Sequence, residues 1–175
     1  MNQGQETGPL LTRYVAGPET VGVLVRAAVA DLWSRPKLWL ILLGLPVLPV
    51  LPGWRSRRRL GESAFGIGDA VLTYLAFLAL VLVVAGVVTM LLMRRHRANF
   101  GRFAFPGAAL STRFGRDGFE IVTPVESSMV PFARIGTVAV RGGAVVLRFV
   151  DSKGVLIAYP RELFPDAAIG QLRPR

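Results

Sequence analysis

The alternation of apolar and polar positions changes character twice along this chain. From Ala70 to Met93 the sequence AVLTYLAFLALVLVVAGVVTMLLM carries no charge, and only Thr73, Tyr74 and Thr89 interrupt it. A run longer than about 18 apolar residues is enough to cross a hydrocarbon core as a helix. A transmembrane helix over residues 70–93 is therefore expected. An earlier apolar stretch, residues 38–54, is bracketed by Trp39 and Trp54, with Lys37 and Arg55 outside them, which is the arrangement of interfacial aromatics and flanking cations. Pro46, Pro49 and Pro52 each remove a backbone donor there, so its second half is expected to kink or unwind. Residues 55–69 then read as the connector of a two-helix transmembrane hairpin.

Ahead of these segments, residues 1–9 form a polar tail, and Leu10 to Ala16 has the β-branched and aromatic content of a short strand, ended by Gly17-Pro18. Pro18 and Glu19 open a helix in which Val21, Leu24, Val25, Ala28, Val29 and Leu32 recur at helical spacing, and Pro36 closes it. Its polar face carries only Glu19, Arg26 and Asp31, too few cations for a helix lying on a bilayer, so this amphipathic helix is expected to pack on protein.

After Phe103 the pattern turns to short runs rich in Val, Ile, Phe and Thr. These are GAALSTRF, GFEIVTP, SSMVPF, RIGTVAV, AVVLRFV and VLIAY. Turn clusters separate several of them, at Arg116-Asp117-Gly118, Arg141-Gly142-Gly143 and Asp151-Ser152-Lys153-Gly154, so an antiparallel meander is expected. A closing helix is placed near Pro165, with Asp166 in its first turn. The fold class read from the chain is an α+β membrane protein: strand and amphipathic helix over 10–37, a hairpin of spans at 38–54 and 70–93, and a β domain over 94–175 closed by a short helix.

Composition narrows the function. The 175 residues are 52% hydrophobic with a formal charge of +10. Nine of the 21 basic residues (Arg35, Lys37, Arg55, Arg57, Arg58, Arg59, Arg94, Arg95, Arg97) sit beside the ends of hydrophobic segments. Such placement serves orientation and headgroup attraction, whereas a nucleic-acid surface needs cations and aromatics spread over a soluble face, so no nucleic-acid partner is expected. Arg26, Arg35, Lys37, Arg94, Arg95, Arg97 and Arg102 flank the hairpin's outer ends, against four arginines between its arms, which directs both termini to the cytoplasm in a multi-pass plasma-membrane protein. The amino terminus has no basic segment leading directly into an apolar one, so a cleaved signal peptide is not expected. There is no cysteine, and His96 stands alone in RRHR, so no thiol chemistry and no metal or cofactor site is expected.

Two sets of positions carry a resemblance. Phe132, Ile135 and Val138 put an aromatic ahead of an Ile-x-x-Val strand start, and Tyr159, Pro160, Arg161 and Phe164 form a strand exit leading to a helix. Following two apolar segments, these features resemble the YcxB-like membrane proteins of bacteria, although that family more often has tryptophan at the Phe132 position. The resemblance implies a carboxy-terminal domain like bacterial pleckstrin-homology (PH) modules behind a transmembrane pair, with Leu10–Ala16 joining its sheet. It brings no catalytic residues.

The acids Asp117, Glu120, Glu126, Asp151, Glu162 and Asp166 lie on scattered turns and edges, which points away from acid/base catalysis. The expected function is non-enzymatic: a membrane-anchored PH-like module that holds a protein partner. Two alternatives stand beside it. In one, Arg94, Arg95 and Arg97 join Arg102, Arg113 and Arg116 in a basic collar on anionic lipid headgroups. In the other the chain is a subunit of a transport complex, which the absence of ionisable groups between Ala70 and Met93 disfavours. A homo-oligomer is compatible with the Ala85-Gly86 patch, where a second helix finds room for close approach.

Overall fold

A computed structural model describes residues 10–48, 67–151 and 156–172. These fall into two compact units, one made of residues up to 31 together with those from 93 onward, the other of residues 32–92. The first unit is α+β with seven antiparallel strands in two sheets. It is discontinuous in sequence, because its first strand and helix precede the second unit and the remainder follows it.

The strands are β1 (Leu10–Val15), β2 (Ala109–Phe114), β3 (Gly118–Val122), β4 (Ser127–Pro131), β5 (Ile135–Arg141), β6 (Ala144–Phe149) and β7 (Leu156–Pro160). One sheet has the order β1-β2-β3-β4 and the other β5-β6-β7. The short strand expected at Leu10–Ala16 pairs antiparallel with β2, from Leu10 opposite Phe114 to Val15 opposite Ala109. Two backbone bonds prolong that pairing, Ala16 N–H to Ala108 O (2.9 Å) and Gly107 N–H to Ala16 O (2.8 Å). Gly107 has φ +83°, where a side chain would be strained.

Period-two alternation sends Leu110 and Phe114 of β2, Phe119 and Ile121 of β3, Val145 and Leu147 of β6 and Tyr159 of β7 into one core. The rings of Phe114, Phe119 and Phe164 meet there at centroid distances of 5.4 to 5.7 Å. Helix α4 (Asp166–Leu172) closes this core with Ala168, Ile169 and Leu172. Phe132, Ile135, Val138, Tyr159 and Phe164, the residues that carry the family resemblance, all lie in or against the same core.

Strand β6 is buried on both faces, which is why its sequence reads as a continuous apolar run. Its second face, Ala144 and Val146 with Ala158 of β7, receives helix α1 (Thr20–Trp33) through Leu24, Val25 and Ala28. Small residues let the helix approach closely: a Cβ added at Gly143 would meet Val23 Cγ1 at 3.2 Å. The helix thus packs on protein, as its sparse polar face implied. Asp31 departs from that expectation. It is not on a solvated face but 4% exposed, and it pairs with Arg148 of β6. Val146 and Arg148 alternate onto the α1 side, so the ion pair prolongs the apolar contact.

In the second unit, α2 (Pro36–Gly44) continues into a 3-10 turn at Leu45–Val47, where Pro46 interrupts the amide series. Pro49, Pro52, Trp54 and Arg55 lie outside the described residues, as do residues 55–66 of the connector. Helix α3 (Ile67–Gly101) is 35 residues long, and it alone among the described elements is long and apolar enough to cross a membrane. It begins inside the expected connector and runs eight residues past the expected end at Met93. Arg94, Arg95 and Arg97 are therefore helical, and the expected domain boundary at 94 falls within a helix.

The Asp31–Arg148 pair sets a stability prediction. Removing one partner of a buried ion pair costs on the order of 3–5 kcal/mol, whereas replacing both by apolar residues is often neutral. In detergent, Asp31→Ala should lower the unfolding free energy read from denaturant titration by up to that amount, Arg148 being 29% exposed, and Asp31→Leu with Arg148→Met should recover most of it.

Candidate membrane interface

The residues expected at a membrane interface are distributed over both units. In the second unit, Lys37 and Trp39 lie on α2 and are exposed. The Trp39 indole N–H donates to Trp33 O (3.0 Å), and the two indole rings lie 5.6 Å apart. This fixes an aromatic pair next to Lys37, the combination of apolar ring and polar tip that suits the headgroup layer.

The polar groups of the apolar run are satisfied locally. Thr73 Oγ1 donates to Asp69 O (2.8 Å) and Thr89 Oγ1 to Ala85 O (2.7 Å), one turn back along α3. Tyr74 Oη donates to Leu43 O (3.4 Å), linking α3 to α2. Each hydroxyl spends its proton on backbone, leaving an apolar surface that suits hydrocarbon.

In the first unit, Arg94, Arg95 and Arg97 occupy the last turns of α3 and are exposed, with Arg102 just beyond the helix. At about 100° per residue the three helical arginines cover an arc of roughly 160°, and His96 and Phe100 fall on the opposite side. His96 stacks on Phe100 (5.6 Å, 17°), and Phe100 is buried in the core beneath α1. One side of this helix end is thus committed to packing and the other to cations.

Arg113 and Arg116 do not complete a single collar with them. Arg113 lies on the outer face of β2, in a row with Leu11, Glu120 and Met129, while Phe100 joins the core on the outer side of β6 and β7. Arg116 is in the turn between β2 and β3. The six arginines therefore form two groups: Arg94, Arg95, Arg97 and Arg102 at the end of α3, and Arg113 and Arg116 on β2 and the turn that follows it. Arg13, which the sequence reading passed over, joins the Arg113 group, because β1 alternation puts Leu11, Arg13 and Val15 on that face.

Three of the carboxylates are engaged locally. Glu120 accepts a hydrogen bond from Ser127 Oγ (2.8 Å), Asp151 pairs with Arg134 (3.0 Å), and Asp166 pairs with Arg161, which also donates to Phe164 O. Among the described residues no three His, Cys, Asp or Glu side chains converge in a metal-holding group. Among the described residues the strongly displaced titration is that of Tyr159 in the main core. Burial pushes its phenol up to about 12, and the charge of Glu126 adds to the shift. No family model, curated protein or solved structure matches the chain.

Tyr159 generates an alkaline prediction. Its folded pKa lies above its ordinary value of 10.0, so the fold favours the neutral phenol. That contribution is complete below pH 10 and is lost as the pH rises through about 12, amounting to about 2–3 kcal/mol. Thermal melts from pH 9 to 12 should show a loss of stability that Tyr159→Phe largely removes while leaving the neutral-pH melt nearly unchanged.

Proposed function

We propose that this chain is a plasma-membrane protein of the YcxB-like kind, anchored by two crossings with both termini in the cytoplasm. Its β domain is a non-enzymatic, PH-like module that holds a protein partner. The observation that carries the anchoring is the pairing of β1 with β2 on either side of the apolar segments. A hydrogen-bonded sheet cannot have a bilayer through it, so residue 31 and residue 93 lie on the same side. The number of crossings between them is then even. If α3 supplies one, residues 32–66 supply another.

Parity constrains what α2 does. With its 3-10 turn it covers 12 residues, about 20 Å at the rises of the two helix types, short of the roughly 30 Å hydrocarbon core. The excess of cations at the outer ends of the hairpin supports the cytoplasmic orientation. The PH-like reading draws support from sheets of four and three strands closed by a helix, and from the shared core of the resemblance residues. The interaction-module reading draws on the outer face of the four-stranded sheet, where Leu11, Val15, Val122 and Met129 are exposed between Arg13 and Arg113. Exposed apolar side chains rimmed by cations are the composition of a contact surface rather than of a solvated sheet face.

A second reading, attraction to anionic lipid, rests on the arc of Arg94, Arg95 and Arg97. In vesicles, Arg94→Gln, Arg95→Gln and Arg97→Gln together should then lower the enrichment of phosphatidylglycerol around the full chain.

Topology reporters test the primary reading. A reporter inserted at Gly61 should lie outside the cytoplasm and one fused after Arg175 inside it. Both on the same side would overturn the two-crossing anchor.

A further inference from the structure

The four-stranded sheet ends at β4, and its open edge differs from the others. Beside β1, Thr12 Oγ1 donates to Leu163 O (2.8 Å), so a 3-10 turn lies against that strand. Strand β5 shifts register between Ile135 and Thr137, and β7 is half-buried to buried along its length. By contrast β4, Ser127-Ser128-Met129-Val130-Pro131, carries no charged side chain, and its first three residues are exposed. Natural sheets blunt their edges with charges, prolines, bulges or cover, and among the described residues β4 has none of these over Ser127–Met129, Pro131 standing only at its end.

The hydrogen-bond pattern shows which of its backbone groups point outward. Thr123 N–H donates to Glu126 O (2.8 Å) and Phe132 N–H to Asp117 O (3.0 Å) at the two ends of the β3–β4 ladder. Bonded pairs alternate in an antiparallel ladder, so Phe119 with Val130 and Ile121 with Ser128 are the bonded pairs between them. Glu120 with Met129 and Val122 with Ser127 are not. The N–H and C=O groups of Ser127 and Met129, and the C=O of Pro131, therefore face away from β3. Met129, at 62% exposure, stands at the centre of this row.

We infer that β4 pairs antiparallel with β4 of a second copy of this chain, about a two-fold axis at Met129. This deepens the interaction-module reading by naming the partner. Centred there, each Met129 exchanges two backbone hydrogen bonds with its counterpart, and each Ser127 N–H meets the other copy's Pro131 C=O. Pro131 has no N–H to offer, and it falls where that absence leaves only one carbonyl on each chain without its bond. The fit to a copy follows from charge: a strand of five uncharged residues sets no like charges opposite one another when it pairs with itself. The two Met129 side chains meet on the outer face and shield each other from water. A pairing this small is weak in free solution, but anchoring both copies in one membrane raises their effective concentration. The product is a continuous eight-stranded sheet.

The absence of native cysteine makes the test direct. Directly paired residues in such a ladder have Cα atoms about 5.5 Å apart, within disulfide reach. Met129→Cys in the full chain, oxidised in its own membranes, should give a disulfide-linked dimer. Ser127→Cys, exposed on the same strand but about 14 Å from its own counterpart in this register, should stay monomeric. Equal cross-linking of both variants, cross-linking of neither, or linkage of Met129→Cys only to a polypeptide of another size would overturn the pairing. Gly61 and carboxy-terminal reporters measured on the same strains separate that outcome from a failure of the membrane anchor.

Discussion

The first unit depends on a strand pair whose members are far apart in sequence. Thr12 and Thr112, opposite each other in the β1–β2 ladder, are 100 residues apart. Closing a flexible loop of that length is entropically unfavourable, although the cost grows only with the logarithm of the length. A hairpin of crossings would return the chain to the side it left and remove much of that cost. The ladder in turn supports what is built on it. Tyr14 of β1 shares a hydrogen bond with Thr20 (2.9 Å), whose hydroxyl also accepts Gly17 N–H (2.9 Å), so the strand fixes the start of α1.

From that start α1 reaches across to the three-stranded sheet, and the two sheets are tied from opposite directions. Phe114, Phe119 and Phe164 hold them from within, while α1 covers β6 and β7 from outside. Strand β6 takes part in both layers, with Val145 and Leu147 facing one way and Ala144 and Val146 the other. This gives a reason for the smaller pair, Ala144 and Val146, on one side and the larger pair, Val145 and Leu147, on the other: one side must admit a helix, the other must fill a core. The Asp31–Arg148 pair lies at the far end of α1 from Thr20, so the helix is fastened polar at both ends and apolar between.

Much of this arrangement was legible in the sequence. Six strands after Phe103 were marked by β-branched runs and by turn residues, and the closing helix by Pro165 and Asp166. Less legible was whatever depends on a partner distant in the chain. Asp31 read as solvated because helical periodicity places it between apolar positions, and nothing local says that a cation waits 117 residues later. The expected span, residues 70–93, lies inside α3, and the helix continues past it to Gly101 because hydrogen-bonded helix runs through arginines as readily as through leucines. The signal for that continuation is Phe100, an aromatic one turn past His96 on the face opposite the arginines. The division of the basic residues into two groups was invisible for the same reason, since proximity in sequence says little about which sheet face a side chain joins.

The interval between Thr12 and Thr112 also has a meaning in time. A ribosome adding about 5–20 residues per second needs on the order of 5–20 s to travel from one to the other. Throughout that interval Leu10–Val15 and the apolar stripe of α1 exist without the strands that will cover them, while the two greasy segments emerge behind them. The nascent amino-terminal piece therefore needs either shelter or solubility of its own until β2 arrives, and the β domain can close only after all of α3 has been made.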